Sequence, residues 1–230
     1  MADDTLLESI NSMIVNKSKK YVFIAVPKTA GTTITRHLID ISDETPPKHH
    51  TKQNFHWPIH NINTTYQQPD YFKFGFVRNP WDRMVSSWFD FAFDPTHLFA
   101  WHRDIRGREY NYMFCYNKIH AEFKTFENFI MNFKNTEWGE DIHFQTATWY
   151  LWNEQRQEFV DFIGRYENLE KDFNYCLKKI GHKSVDLPNM KKWRKTNRTK
   201  KYQPYYTNKQ MIEQIAKLFE DDLKNFGYVF

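Results

Sequence analysis

The chain has 230 residues, a formal net charge of +4 and an aromatic content of 18%. That length is read as a single domain over 1–230, large enough to bury a core without disulfides, and the modest charge suits an anionic ligand without requiring nucleic acid. Two cysteines, Cys115 and Cys176, lie far apart with no metal-ligand spacing, and no stretch reaches the roughly 20 apolar residues of a membrane span.

Residues 1–20 read as a short helix and a basic lead-in. They lack the basic and apolar regions of a secretory signal, so a cytoplasmic enzyme, or a trimmed catalytic domain, is expected. An apolar strand follows at Tyr21–Val26, then Pro27, Lys28, a small-residue turn around Gly31 and a helix over about Thr32–Ile41. Ser42–Pro69 is polar, rich in Pro and His, and reads as a loop with short helical turns. A second strand is Phe72–Val77, with Arg78 and Asn79 at its end, Pro80 at the first helical position and a helix over Trp81–Phe91. Phe93–Asn117 reads as irregular or broken helix. Phenylalanines at 123, 126, 129 and 133 with Ile130 mark a helical core stripe over Glu122–Phe133. A further helix is expected over Asp141–Trp152 and a strand over Val160–Arg165. Leu169, Phe173, Leu177 and Ile180 then line one face of a helix ending at Gly181, with Cys176 on its apolar side. Thr207 and Gln210 form a capping-box pattern before Met211, Ile215, Phe219 and Phe226, with Gly227 past the end. Strands alternating with helices imply an α/β fold in three layers, a central parallel sheet flanked by helices.

The order strand, tight loop, helix N-terminus is a device for holding an anion. The first N–H groups of a helix have no acceptor in a preceding turn, and the helix dipole adds to their attraction. Lys28 adds a full charge, Thr32 and Thr33 add hydroxyl donors, and Gly31 is expected to let the backbone approach the ligand closely. The pattern is not a Walker A loop, because Lys28 precedes Gly31 rather than following a glycine. An ordinary strand–turn–helix with a solvated lysine would look the same at this one place. In the second motif, Arg78 lies at the strand's C-terminal end, where open parallel sheets bind ligands, and a guanidinium is the planar partner of a phosphate. Taken alone, Arg78 could equally pair with Asp82.

Together, PKTAGTT after the first strand and FVRNPWDRMVSSW after the later one resemble the sulfotransferases that use 3′-phosphoadenosine 5′-phosphosulfate (PAPS). The resemblance is to the branch that includes carbohydrate sulfotransferases and short bacterial and viral relatives. VDFIGRYENLEKDF (Val160–Phe173) and the closing GYVF (Gly227–Phe230) extend it over most of the chain from Tyr21; it is weak at Asn54–Pro69 and across Phe93–Trp152. It implies a P-loop-like fold and transfer of a sulfuryl group from PAPS to an acceptor hydroxyl, of a saccharide for example, leaving 3′,5′-ADP. It also implies that Lys28, Thr29, Ala30, Gly31, Thr32 and Thr33 hold the 5′-phosphosulfate, and that Arg78 and Ser86 hold the 3′-phosphate. Lys28 would stabilise the leaving phosphate. Tyr166 would contact adenine, and Arg198 or Lys200, in the basic run Lys191–Lys201, would fold over the 3′-phosphate.

The base that takes the acceptor proton is expected to be a histidine, whose ordinary pKa lies near neutrality. The resemblance places it between the first helix and the Arg78 strand, and the KHHT element (Lys48–Thr51) selects His49, then His50, with Glu44 a distant third. His56 and His60 have helical spacing for a metal, but Pro58 stands between them, and no metal is expected. Two other classes fit parts of the pattern. A P-loop-like nucleotide kinase explains the loop but not the placement of its lysine. A non-enzymatic module binding anions or nucleic acid would use Lys191–Lys201.

Overall fold

The computed structural model describes residues 14–41, 59, 68–93, 101–103, 109–111, 119, 122–154, 157–187 and 201–230. In chain order the elements are β1 (Ile14–Asn16), β2 (Tyr21–Ile24), α1 (Gly31–Asp40), β3 (Phe72–Val77), α2 (Pro80–Phe93), β4 (Trp101–Arg103) and β5 (Glu109–Asn111). Then come α3 (Phe126–Asn132), α4 (Ala147–Leu151), β6 (Trp152–Asn153), β7 (Glu158–Phe159), β8 (Phe162–Arg165), α5 (Leu169–Lys179), α6 (Lys209–Leu218) and α7 (Glu220–Phe226). The chain divides into two compact units, Met1–Val77 with Trp149–Asn189, and Arg78–Thr148 with Met190–Phe230.

The first unit holds a four-stranded sheet in the order β1-β2-β3-β8. β2, β3 and β8 run parallel, with Tyr21 opposite Phe72 and Val77 opposite Arg165. The sheet is mixed rather than purely parallel, because β1 pairs antiparallel to β2 from within the expected lead-in. All four residues of β2 are fully buried, as expected of a strand covered on both faces. Tyr21, Phe23, Phe74 and Phe76 share a core with Ile34 and Leu38 of α1 and Phe173, Cys176 and Leu177 of α5. The two-residue repeat of the strands thus meets the helical repeat of α1 and α5. On β8, a Cβ at Gly164 would run into the Phe76 ring, so close packing selects that glycine.

The second unit is built on aromatics. Trp81, Met84, Val85 and Trp88 of α2 pack with Phe129 and Ile130 of α3, with Phe133, Trp138 and Phe144, and with Met211 and Ile215 of α6. Trp88, Trp138 and Phe144 are therefore core residues. Within this core lies a buried ion pair: Arg83 stands 3.8 Å from Asp222, at 1% and 2% exposure. Arg83 also donates to the carbonyls of His143 and Gln145, at 3.2 and 2.6 Å. Asp222 accepts from the Ala147 and Thr148 N–H groups, both at 2.8 Å.

Several elements differ from the sequence expectation for local reasons. The stripe over Glu122–Phe133 is broken at Lys124, whose φ of 57° is left-handed, and α3 starts after Thr125, which caps it through Asn128 N–H. Asp141–Trp152 is a 3-10 turn (Ile142–Phe144) and then the short α4, not one helix. The late strand begins at Phe162, because Asp161 turns to accept from Lys73 N–H at 2.6 Å. Within Phe93–Asn117, β4 and β5 pair antiparallel. The cap of α6 is Asn208, which accepts from Met211 N–H at 3.0 Å; Thr207 instead donates to the Met211 sulfur. Gly227 ends α7 in the left-handed conformation expected of it.

Candidate functional site

Two loops follow the parallel strands β2 and β3, one in each unit. After β2 the chain folds back on itself: Val26 N–H donates to Ile24 C=O, and the buried Thr29 hydroxyl donates to Val26 C=O at 2.9 Å. Thr29 thus shapes the loop from inside. On either side of it, Lys28 (φ 66°) and Ala30 (φ 72°) adopt the left-handed conformation. For non-glycine residues this is unfavourable and clusters at ligand-binding places. Ala30 is the N-cap of α1, and its carbonyl accepts from both Thr33 and Ile34 N–H, at 3.0 and 3.1 Å. The N–H groups of Gly31 and Thr32 lead the helix, and its first turn carries no acidic residue. Thr32 is exposed, while Lys28 and Thr33 are half-buried. A Cβ at Gly31 would face Ala25 and Val26 at ordinary contact distance, so this residue packs inward, and the left-handed positions are Lys28 and Ala30.

After β3 the second unit begins. Arg78 is 4% exposed, and its Nε and Nη2 both lie 2.7 Å from Asp82 Oδ2. Asn79 caps α2: its carbonyl accepts from Arg83 N–H at 2.8 Å and its side-chain oxygen from Trp81 N–H at 3.1 Å. Ser86 is half-buried one turn beyond Asp82 on the same helix face. Its neighbour Ser87 is buried and donates to Arg83 C=O at 3.1 Å, which leaves Ser86 as the hydroxyl of the pair in reach of solvent. A recess of about 510 Å³ is lined by Asp82, Lys201, Tyr202, Gln203 and Pro204.

Tyr166 opens a 3-10 turn directly after β8 and is half-buried. The end of β8 is fixed by Asp172 of α5, which accepts from Arg165 N–H at 2.7 Å. His49, His50, Arg198 and Lys200 lie outside the described residues. Among the described residues, no three His, Cys, Asp or Glu side chains gather as a metal site, and no helix is long and apolar enough to cross a membrane. Sequence reasoning missed Asn79 as a structural hub and Thr29 as the inward tie of the loop. The position of Asn79 before Pro80 was the available signal for a cap.

The model of the sulfotransferase family matches residues 11–229. The chain belongs to the sulfotransferase family. Among curated relatives, this sulfotransferase-family chain is similar to carbohydrate sulfotransferase 14 of Danio rerio, 24% identical over 97% of this chain and 63% of the relative. It is also similar to carbohydrate sulfotransferase 9 of Homo sapiens (24%, over 92% of this chain and 49% of the relative). Carbohydrate sulfotransferase 10 of Gallus gallus is 27% identical over 69% of this chain and 47% of its own length. The chain thus spans about half to two thirds of the length of these relatives. No solved structure matches it.

Proposed function

We propose that the chain transfers a sulfuryl group from PAPS to a hydroxyl of a saccharide acceptor, as one sulfotransferase domain with a P-loop-like β2–loop–α1 unit. The observation that carries this is Arg78: a guanidinium buried to 4% exposure, oriented by Asp82 at the head of α2, with the Ser86 hydroxyl one turn further on. The donor set fits the group. The helix-leading N–H groups of Gly31 and Thr32, the Thr32 and Thr33 hydroxyls and Lys28 suit one anionic end, and Arg78 with Ser86 suits a second. The saccharide acceptor is taken from the names of the relatives.

PAPS, when bound, supplies a sulfuryl group on a phosphate leaving group. The loop Lys28–Thr33 holds the 5′ end, with Thr29 setting its shape and Ala30 placing the helix N-terminus. Lys28 would offset negative charge on the phosphate leaving group, an electrostatic contribution made without reorganisation. Arg78 and Ser86 would hold the 3′-phosphate, Tyr166 would contact the adenine, and Arg198 or Lys200 would add positive charge to the phosphate. His49, or else His50, takes the proton from the acceptor hydroxyl.

The test is transfer from PAPS to a panel of unsulfated saccharide chains, beside direct binding of 3′,5′-ADP. Lys28→Ala should lower transfer on the order of 100-fold or more while retaining nucleotide binding. Arg78→Ala should weaken 3′,5′-ADP binding by about 10- to 100-fold through loss of hydrogen bonds to a charged group. Near-normal transfer by Lys28→Ala would sink the mechanism.

A further inference from the structure

The residue between Arg78 and Pro80 does more than cap a helix. Ser, Thr, Asp and Asn all cap helices well, but among them Asn alone pairs the capping oxygen with a side-chain amide that donates two hydrogen bonds. Both kinds of bond are present at Asn79. Its oxygen accepts from Trp81 N–H at 3.1 Å and, at the outer limit of 3.5 Å, from Asp82 N–H. Its amide nitrogen donates to Tyr202 Oη at 3.2 Å and to Val229 C=O at 2.9 Å. Asn79 is 8% exposed.

The two acceptors come from two further segments, 201–204 and 229–230. The Val229 side chain is 77% exposed, so its own burial does not hold the tail. The anchor is the next residue, Phe230, whose ring meets Trp81, Tyr202 and Tyr206 edge-on at 5.5, 5.7 and 5.4 Å. Tyr206 in turn donates to Trp81 C=O at 2.9 Å. Tyr202 also lines the recess whose other wall is Asp82, the partner of Arg78. The first turn of α2, the segment 201–204 and the tail 229–230 are thus tied through one amide group.

We propose that Asn79, with the tail residues Val229 and Phe230, forms a latch that positions Arg78 and the 201–204 segment for the 3′-phosphate of the nucleotide. This rests on the PAPS reading above and names Asn79 as a positioning residue. Its amide donors fix the segment beside the Arg78–Asp82 pair, and the Phe230 ring holds the acceptor carbonyl in place. The latch acts on the 3′-phosphate specifically, because it touches the first turn of α2, which carries Asp82, the partner of Arg78.

The experiment is titration calorimetry of 3′,5′-ADP and of 5′-AMP, which lacks the 3′-phosphate, on wild type, Asn79→Ser and Phe230→Ala. Serine keeps the cap and removes both donors. The ratio of the two affinities should fall about tenfold in Asn79→Ser and about threefold in Phe230→Ala, in line with lost hydrogen bonds at a charged site. Phe230→Ala, at a position 41% exposed, keeps the test open should Asn79→Ser fold poorly. An unchanged ratio in the folded variants overturns the latch. So does an equal loss of affinity for both nucleotides, which marks a merely structural role. Wild type that binds 3′,5′-ADP no better than 5′-AMP overturns the PAPS reading instead.

Discussion

Lys28 and Ala30 both take a positive φ with Thr29 tied down between them. A left-handed non-glycine residue costs on the order of 1–2 kcal/mol, and Ala30 has no side chain able to cap the helix it begins. Ala30→Gly should therefore stabilise the protein by about 0.5 kcal/mol, the relieved strain outweighing the added freedom of the unfolded chain. A urea unfolding midpoint measures this, and destabilisation would show that Ala30 is at ease. Further along α1, burial holds the His37 pKa below its ordinary value, against the pull of Asp40 and with a push from His182. Its ring stands edge-on to Phe173 at 5.5 Å. Below about pH 6.5 the unfolded chain binds the proton first. The stability from this group is present above that pH and is lost as pH falls from there through the lowered folded value. Melting temperatures between pH 5 and 8 should fall on the acid side less steeply in His37→Gln than in wild type. Neither left-handed residue was legible from the sequence, since Lys and Ala carry no left-handed preference; the loop itself was legible from PKTAGTT.

The elements of the second unit depend on a charge pair their sequences do not announce. Asp222 of α7 is buried, and that burial pushes its carboxyl up against the opposing effect of Arg83 and the Ala147 and Thr148 N–H groups. Removing one member of a buried pair strands the other. Asp222→Ala should destabilise by about 3–5 kcal/mol, measured by chemical denaturation; a loss below about 1 kcal/mol would mean the pair behaves as if solvated. The helices were readable where apolar spacing agreed with a stop signal, as in α5 before Gly181. They were misread where local backbone choices intervened. Lys124 breaks the Phe123–Phe133 stripe although its apolar period is intact, and Asn208 displaces Thr207 as cap one residue later. Periodicity reports which face is buried, not where the backbone leaves the helix.

At the scale of the molecule, the two units are interleaved along the chain, each assembled from two separate stretches. No single cut in the sequence separates them. A ligand bound by the native state alone stabilises it by mass action, about 2.7 kcal/mol at a hundredfold excess over Kd. For a chain of this size that raises the melting temperature on the order of 5–10 °C. Such a shift is expected with 3′,5′-ADP and little with 5′-ADP. A shift with ATP and magnesium alone would favour phosphoryl over sulfuryl transfer.

Spacing and residue type within short segments were enough to give the family, the strand–loop–helix order of both motifs and the apolar faces of α3, α5 and α6. The tertiary structure alone decided that β1 joins the sheet antiparallel, that Trp88 and Trp138 are core, that Ser86 rather than Ser87 faces outward, and that Asn79 ties α2 to residues 202 and 229. Those outcomes depend on which separate segments pair, as 14–16 does with 21–23 and Asn79 with residues 202 and 229, or on which of two adjacent side chains is buried. Local sequence carries no term for either.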